Sequence, residues 1–554
     1  MSRSSNSGSV LAGRNSYARG ETEPALLEMT IGANLAATVA RVPDRDAVVD
    51  VVSGQRWNYA ELSEAVARLA TGLLQAGIGP GDRVGIWAPN CAEWVLVQYA
   101  TAEIGALLVS LNPAYRAHEL QYALQKAAPA MMIAARGFKS SDYAAMLAEV
   151  APHCPQLREV VLLGGARWEA LAGTSIDRAA LAAVAVTLSA HDLINIQYTS
   201  GTTGYPKGAT LTHRNLLNNG YLVGELLGYT EHDRICIPVP FYHCFGMVVG
   251  NLAATSHGAA VVIPGPGFDP LATLRAVRDE SCTSLYGVPT MFIAELAAPE
   301  FEDVDLSSLR TGIMAGSPCP ESVMRAVIER MHMAEVAICY GMTETSPVST
   351  QTRAGDSLEL RVGTVGRVGP HLEAKVVDPA TGATVARGVT GELCTRGYSV
   401  MAGYWNAPER TADVLDAEGW MHTGDLAVMD DDGYLRIAGR IKDMVIRGGE
   451  NVYPCEVEEF LYAHPDIVGV QVIGVPDEFY GEELMAVITL RDPAVPLTLE
   501  ALRSFCTGRM AHFKIPRYLR IVDEFPMTVT GKVRKDVMRI HAIEYLRRTN
   551  ESVV

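Results

Sequence analysis

The sequence predicts a large layered α/β domain followed by a small α+β domain, and three observations carry that expectation. Helical and strand patterns alternate from near Leu35 to about residue 370. After about residue 372 the rhythm changes to short strands and turns, as at 373–377 and 434–438. A polar turn, Gly439-Arg-Ile-Lys-Asp443, then follows a strand, and beyond it lies a unit of roughly a hundred residues with its own helix and strand patterns. At 554 residues the chain is too long for one ordinary core. The expected division is a disordered tail over 1–30, a large domain over 31–441 and a small one over 442–554.

In the first segment, MSRSSNSGSVLAGRNSYARG is rich in Ser, contains Arg3, Arg14 and Arg19, and has no acid. It lacks the roughly 7–15-residue apolar core of a secretory signal. Its composition faintly resembles a mitochondrial transit peptide, but Val10 and Leu11 alone make no apolar stripe, so a solvated tail is expected. Asn58 with Glu61 three residues on has the pattern of a capping box, and Leu62, Val66, Leu69 and Leu73 follow at helical spacing. Gly77-Ile-Gly-Pro-Gly stops that helix, and 83–88 reads as a buried strand. Residues 166–187 are Ala-rich and have no assignable pattern. Helices are expected at 454–463 and 499–510, with strands at 467–473 and 484–490.

Hydrophobic residues make up 48% and charged residues 20%, the balance of a globular domain. The most apolar segments, near 94–111 and 235–263, are broken by Glu103 and by Pro238, Pro240 and His243, so no membrane span is expected. The formal net charge of −17 repels nucleic acid and anionic lipid, so a polyanionic substrate must be held by local donors and a metal ion. Ten cysteines without a C-x-x-C pair read as reduced thiols, which favours a cytoplasmic location, with the mitochondrial matrix as the alternative.

The strongest local signal is Tyr198-Thr-Ser-Gly-Thr-Thr-Gly-Tyr-Pro-Lys-Gly208. Its glycines permit close backbone approach, its hydroxyls and N–H groups can donate to phosphate oxygens, and Lys207 adds a point charge. It is not the G-x-x-x-x-G-K-[ST] loop, because Pro206 precedes the lysine and Gly208 follows it. Three weaker signals follow: Tyr340-Gly-Met-Thr-Glu-Thr-Ser-Pro347, then Thr423-Gly-Asp425 with Arg440 fifteen residues beyond it, then Pro526-Met-Thr-Val-Thr-Gly-Lys532. Each of these taken alone is an ordinary polar turn.

In this order and at these distances the set resembles the adenylate-forming superfamily, which includes acyl- and aryl-CoA synthetases, peptide-synthetase adenylation domains and beetle luciferases. The resemblance spans roughly residues 30 to 540, and the four motifs together are highly specific. It implies a large N-terminal domain of layered α/β subdomains with a distorted β-barrel, and a small mobile C-terminal domain. It further implies ATP, Mg²⁺ and CoA as ligands, and is compatible with a homodimer.

The resemblance also implies roles. Thr199, Ser200, Gly201, Thr202, Thr203, Gly204 and Lys207 would clamp the β- and γ-phosphates. Glu344 would ligate Mg²⁺, a hard cation suited to carboxylate and phosphate oxygens. Thr343 would donate to the α-phosphate. Tyr340 would stack on adenine, followed by Gly341, with backbone groups of Gly316, Ser317 and Pro318 along the ring edge. Asp425 would accept both ribose hydroxyls, and Arg440 would reach ribose or phosphate. Many relatives place a polar side chain two residues before the stacking aromatic, where this chain has Ile338. Lys532 would be catalytic, because two anions must meet at the α-phosphorus and an ammonium between them stabilises that transition state. Removing such a donor typically costs ~10²–10³ in rate. A carboxylate nucleophile needs no general base at neutral pH.

Pro240-Phe-Tyr-His-Cys-Phe-Gly-Met247 resembles the family segment at the mouth of the acid pocket, where His243 would gate the pocket or contact the carboxylate. Phe245, Met247, Val288, Gly341 and Met342 offer an uncharged lining, and the small residues Gly246, Gly250, Ala315 and Gly316 could leave a channel for an alkyl chain. Within the superfamily the sequence looks most like the medium-chain fatty acyl-CoA synthetases, although long-chain enzymes carry an aromatic gate for which Tyr205 is the one candidate. Gly448 and Gly449 would form a wall of the pantetheine tunnel, and Lys442 would be the interdomain hinge. Two alternatives stay open: transfer of the acyl group to an acyl carrier protein, and activation of an aryl or other carboxylate.

Overall fold

The computed structural model describes residues 14–199, 206–317, 319–448, 450–492, 494–495, 497–527 and 533–551. Three main sheets build the chain up to Arg440, and a fourth collects strands from Val445 onward. A seven-stranded sheet runs in the order Gly403–Tyr404, Lys207–Thr212, Leu193–Thr199, Leu107–Ser110, Arg83–Trp87, Met131–Ala134 and Glu159–Leu162. A nine-stranded sheet has Val348–Gln351, Glu335–Gly341, Thr311–Ala315 and Ser284–Gly287 as successive neighbours, the last three parallel. Their carboxyl ends therefore lie along one edge, the place where α/β sheets bind ligands.

Helices cover these sheets for reasons local to the sequence. The helix Tyr59–Gln75 starts at the capping box: Asn58 Oδ1 accepts from the Glu61 N–H at 2.8 Å, and Glu61 Oε2 accepts from the Asn58 N–H at 2.9 Å. Leu62, Val66, Leu69 and Leu73 are all buried, each worth about 1.5–3 kcal/mol of burial. Gly77 ends the helix region at φ +77°. The helix Ala92–Glu103 is apolar on nearly every face, with Trp94, Val95, Val97, Tyr99 and Ala100 buried. It lies in a core that also takes Ile86 and Leu108 of the seven-stranded sheet and Val48, Ile235 and Ile313 of the nine-stranded one. The apolar stretch after residue 234 becomes a strand, the π-helical segment Phe245–Leu252 and the strand Ala260–Ile263. No helix among the described residues is long and apolar enough to cross a membrane.

One sequence expectation needs correction here, and one unassigned stretch gains a structure. Residues 14–30 are not a loose tail: Tyr17–Arg19 pairs antiparallel with Leu372–Val377, and Tyr17 Oη donates to Glu373 Oε2 at 2.5 Å. Three residues are too few to show an alternating pattern, so this strand exists only through its partner. The unassigned stretch 166–187 holds two short helices, Ala166–Ala172 and Arg178–Ala185, which bury Trp168, Leu171 and Leu181. The remainder of the expected tail, 1–13, lies outside the described residues.

Where a distorted barrel was expected, the described residues form a five-stranded antiparallel sheet: Tyr17–Arg19, Leu372–Val377, Gly391–Gly397, Met421–Met429 and Leu435–Arg440. A single tight turn, Ile441–Asp443, leads from it to the strand Val445–Arg447 of the last sheet. There the hairpin Ile467–Asp477 and Gly481–Leu490 packs Val470, Val472, Leu484 and Ile488 against Val457, Leu461 and Leu502 of two helices. This core shares no residue with the core between the two large sheets.

Candidate active site

The phosphate-loop motif joins two paired strands. Thr199 and Lys207 are opposite one another in the antiparallel pair Leu193–Thr199 and Lys207–Thr212, and Thr199 Oγ1 donates to the Lys207 carbonyl at 3.4 Å. Both ends of the loop are thus pinned at one sheet edge. Ser200, Gly201, Thr202, Thr203 and Gly204 lie outside the described residues, as do Tyr205, Pro318, Gly449 and Lys532. The segment carrying Lys532 is flanked by an antiparallel bridge between Met527 and Val533.

The strand Glu335–Gly341 turns back sharply into Val348–Gln351. Gly341 is required there, because a Cβ would sit 1.8 Å from the Pro347 carbonyl oxygen. The turn is closed by the Met342 N–H donating to that same oxygen at 2.9 Å, with Thr345 Oγ1 donating to it at 2.7 Å. Thr343 and Glu344 sit at its tip, 7% and 5% exposed. Glu344 Oε1 accepts from Tyr404 Oη at 2.7 Å, and Lys207 Nζ lies 4.9 Å from the centre of the Tyr404 ring. Cys244 lies against Thr343 and Glu344, and burial pushes its thiol up to about 12, which leaves it inert. A carboxylate held at a buried turn suits Mg²⁺, which takes one or two carboxylates plus substrate phosphates.

Asp425 and Arg440 are opposite one another on the strands Met421–Met429 and Leu435–Arg440. Arg440 Nε lies 3.0 Å from Asp425 Oδ1, while Tyr340 Oη donates to Asp425 Oδ2 at 2.7 Å. Burial and the neighbouring carboxylate hold the Tyr340 phenol well above its ordinary pKa, so it stays a donor. Behind this pair, Glu392 Oε1 accepts from the Gly424 N–H at 3.1 Å, and Glu392 Oε2 lies 2.8 Å from His422 Nδ1. Residues 85 positions apart, from two different sheets, thereby present one buried carboxylate with an aromatic ring and a guanidinium beside it.

Of the expected acid-pocket residues, Phe245, Met247 and Val288 are buried in the core between the sheets, and half-buried Met342 packs against it. The Phe245 ring stacks on Tyr286 at 5.6 Å, and His243 Nδ1 accepts from the Phe245 N–H at 3.2 Å. Gly316 and Ser317 are exposed just past the strand Thr311–Ala315, with the Gly316 Cβ position 3.2 Å from Val288 Cγ1. Two glycines do not open a channel: a Cβ on Gly246 would meet the Pro240 carbonyl at 2.4 Å, and one on Gly250 would meet Ile237 at 2.8 Å. Both serve close packing of the π-helical segment. Ile338 is buried in a separate core, so its side chain is committed to packing.

In the last sheet, Gly448 has φ +60°, its N–H donates to the Tyr480 carbonyl at 2.9 Å, and a Cβ would lie 2.9 Å from Tyr480. Tyr480 and the bidentate pair of Arg447 with buried Glu483 (2.7 and 2.8 Å) fix that turn. Lys442 occupies the turn Ile441–Asp443, closed by the Met444 N–H donating to the Arg440 carbonyl at 3.0 Å.

Sequence reasoning missed Tyr404, Glu392 and His422. Tyr404 lies 60 residues from Glu344, in a two-residue strand with no pattern of its own. A family of enzymes described as AMP-binding enzymes matches residues 35–405, and its C-terminal domain matches 456–532. A putative acyl-CoA synthetase of Bacillus subtilis, YngI, is 49% identical over 94% of this chain and 98% of its own length. The mitochondrial medium-chain acyl-CoA ligase ACSF2 of Danio rerio is 44% identical over 95% of this chain and 90% of its own. In three dimensions, ATP-bound MatB from Rhodopseudomonas palustris superposes with a TM-score of 0.83 at 32% identity, covering 94% of this chain and all of that one. With the Thr199–Lys207 strand pair, the Glu344 turn and the Asp425–Arg440 pair on one fold, and a family match across most of its length, the chain belongs to the AMP-binding enzyme family.

Proposed function

We propose that the acid activated by this enzyme is a medium-chain fatty acid. The chain is an ATP-dependent acyl-CoA synthetase of the AMP-forming class. In the first half-reaction a carboxylate oxygen attacks the α-phosphorus of ATP, giving acyl-AMP and pyrophosphate. In the second, the CoA thiolate attacks the acyl carbonyl and AMP leaves.

The observation that carries the choice of acid is the uncharged character of Phe245, Met247 and Val288 in the core and of Met342 packed against it, with the Gly316 Cβ position 3.2 Å from Val288 Cγ1. Such a lining rewards alkyl surface and offers nothing to an ammonium or a second carboxylate. The ligase named in Danio rerio acts on medium-chain acyl groups, which supports the same reading.

Within the site, Asp425 accepts the ribose hydroxyls, Tyr340 covers the adenine and Arg440 holds the Asp425 carboxylate in place. Lys207 and the motif before it hold the outer phosphates. Thr343 donates to the α-phosphate, and His243 stands at the acid's carboxylate. Glu344 holds Mg²⁺, which when bound neutralises phosphate charge. Lys532 stabilises charge on the bridging oxygens in the first half-reaction only. The turn at Lys442 then lets the small domain withdraw Lys532 and bring the Gly448 turn to the thiol's path. CoA is the acceptor, and the site works in a reducing compartment, in keeping with ten cysteines that are all free thiols.

A pyrophosphate-release screen from acetate to palmitate, with aryl acids beside them, tests the reading. Each buried methylene is worth about 0.8 kcal/mol, so kcat/KM should climb with length to a maximum at roughly C6–C12. A preference for acetate or benzoate overturns it. Supplying CoA and holo-acyl carrier protein in parallel separates the two acceptors.

A further inference from the structure

Tyr404 is 7% exposed and tied to the strand that begins at Lys207. Gly403–Tyr404 pairs antiparallel with it, Tyr404 opposite Ala209 and Gly403 opposite Thr210, and Thr210 Oγ1 donates to the Gly403 carbonyl at 2.6 Å. The Tyr404 N–H donates to Thr411 Oγ1 at 2.9 Å. The side chain thus has little freedom, and its two functional surfaces point at two different charges. Its hydroxyl donates to Glu344 Oε1 at 2.7 Å, and its ring faces Lys207 Nζ at 4.9 Å.

We propose that Tyr404 is a positioning residue that holds the Glu344 carboxylate by its hydroxyl and the Lys207 ammonium by its ring, and so keeps the two from pairing. The inference rests on the reading above, in which Glu344 holds the metal and Lys207 the outer phosphates. A carboxylate and an ammonium in a poorly solvated site attract strongly and, left to themselves, close into an ion pair. No ion pair joins Lys207 to Glu344 among the described residues. The ring gives the ammonium a neutral π-face to rest on. The hydroxyl occupies one acceptor direction of Oε1 and leaves the remaining lone pairs of the carboxylate for a cation. Hydrogen bonds of this kind fix the orientation of a metal-binding carboxylate, and their loss typically costs about 10–100-fold in metal affinity.

Two variants separate the two surfaces. Tyr404→Phe keeps the ring and removes the donor, while Tyr404→Leu removes both. Calorimetric titrations without acid substrate give three affinities for each protein: AMP, ATP in chelator, and ATP in excess Mg²⁺. AMP carries no outer phosphates, so it reports the integrity of the fold and of the Asp425 side. In wild type the ratio of ATP affinities with and without Mg²⁺ measures the metal's contribution. Tyr404→Phe is expected to keep AMP affinity within twofold while that ratio falls about tenfold. Tyr404→Leu is expected to lose metal-free ATP affinity severalfold as well, because Lys207 then pairs with Glu344. An unchanged ratio in Tyr404→Phe, or an equal loss of AMP and ATP affinity, overturns the proposal. A wild-type enzyme whose ATP affinity ignores Mg²⁺ overturns the reading of Glu344 itself and this inference with it.

Discussion

Replacing Asp425 with alanine is the sharpest test of the nucleotide site, because the structure says what is lost. The carboxylate is 8% exposed and accepts from Tyr340 Oη at 2.7 Å, with Arg440 Nε 3.0 Å from its other oxygen. In the proposed nucleotide complex the same oxygens would take the two ribose hydroxyls. Hydrogen bonds to a charged group contribute about 1.5–3 kcal/mol each, so losing two removes about 3–6 kcal/mol. At 1.4 kcal/mol per decade, AMP affinity should fall about 10²–10⁴-fold. The assay is titration calorimetry with AMP and with 2′,3′-dideoxy-AMP on both proteins, read as a double-mutant cycle. Wild type should discriminate strongly between the two ligands, and Asp425→Ala should bind them nearly alike. Melting temperature is recorded in parallel, since truncation also leaves the Tyr340 hydroxyl without its acceptor. A folded variant that still prefers AMP to the dideoxy analogue by the wild-type factor would falsify the ribose assignment.

Three further predictions concern other parts of the molecule. Lys532→Ala should abolish acyl-adenylate formation while sparing thioester formation from synthetic acyl-AMP; near-normal pyrophosphate exchange in the variant rules out its role. Lys442→Pro should fix the backbone of the turn Ile441–Asp443, since proline holds φ near −65° and constrains Ile441 before it. Pyrophosphate exchange should then persist while acyl-CoA formation collapses, and equal loss in both half-reactions, or in neither, excludes a hinge there. Glu295 is fully buried, neither carboxylate oxygen has a hydrogen-bond partner among the described residues, and burial raises its pKa well above the ordinary range. A raised acid pKa contributes stability below the unfolded value of about 4.5 that is lost as pH rises, so the native state is penalised at neutral pH. Glu295→Met should therefore raise the melting temperature more at pH 7 than at pH 5, and a gain that is equal at both counts against an unpaired acid.

Features encoded within a few residues were legible in the sequence. The capping box of Asn58 and Glu61 and the stripe Leu62, Val66, Leu69, Leu73 act through contacts three or four residues apart, and the helix Tyr59–Gln75 forms as they require. The stop at Gly77 and the buried strand Arg83–Trp87 are equally local.

Tertiary structure alone decided the rest. Tyr17–Arg19 becomes a strand because Leu372–Val377 offers an open edge 356 residues away. Gly246 and Gly250 resemble channel-lining positions in sequence, yet each is pressed against Pro240 or Ile237 by the path of the π-helical segment. Tyr404 carries no local signal, and its place between Glu344 and Lys207 follows from which strand its two-residue edge pairs with. Composition and periodicity report the few residues on either side, because helix and strand geometry repeat over short distances. A site built from three sheets depends on how those sheets pack, and no short-range pattern records it.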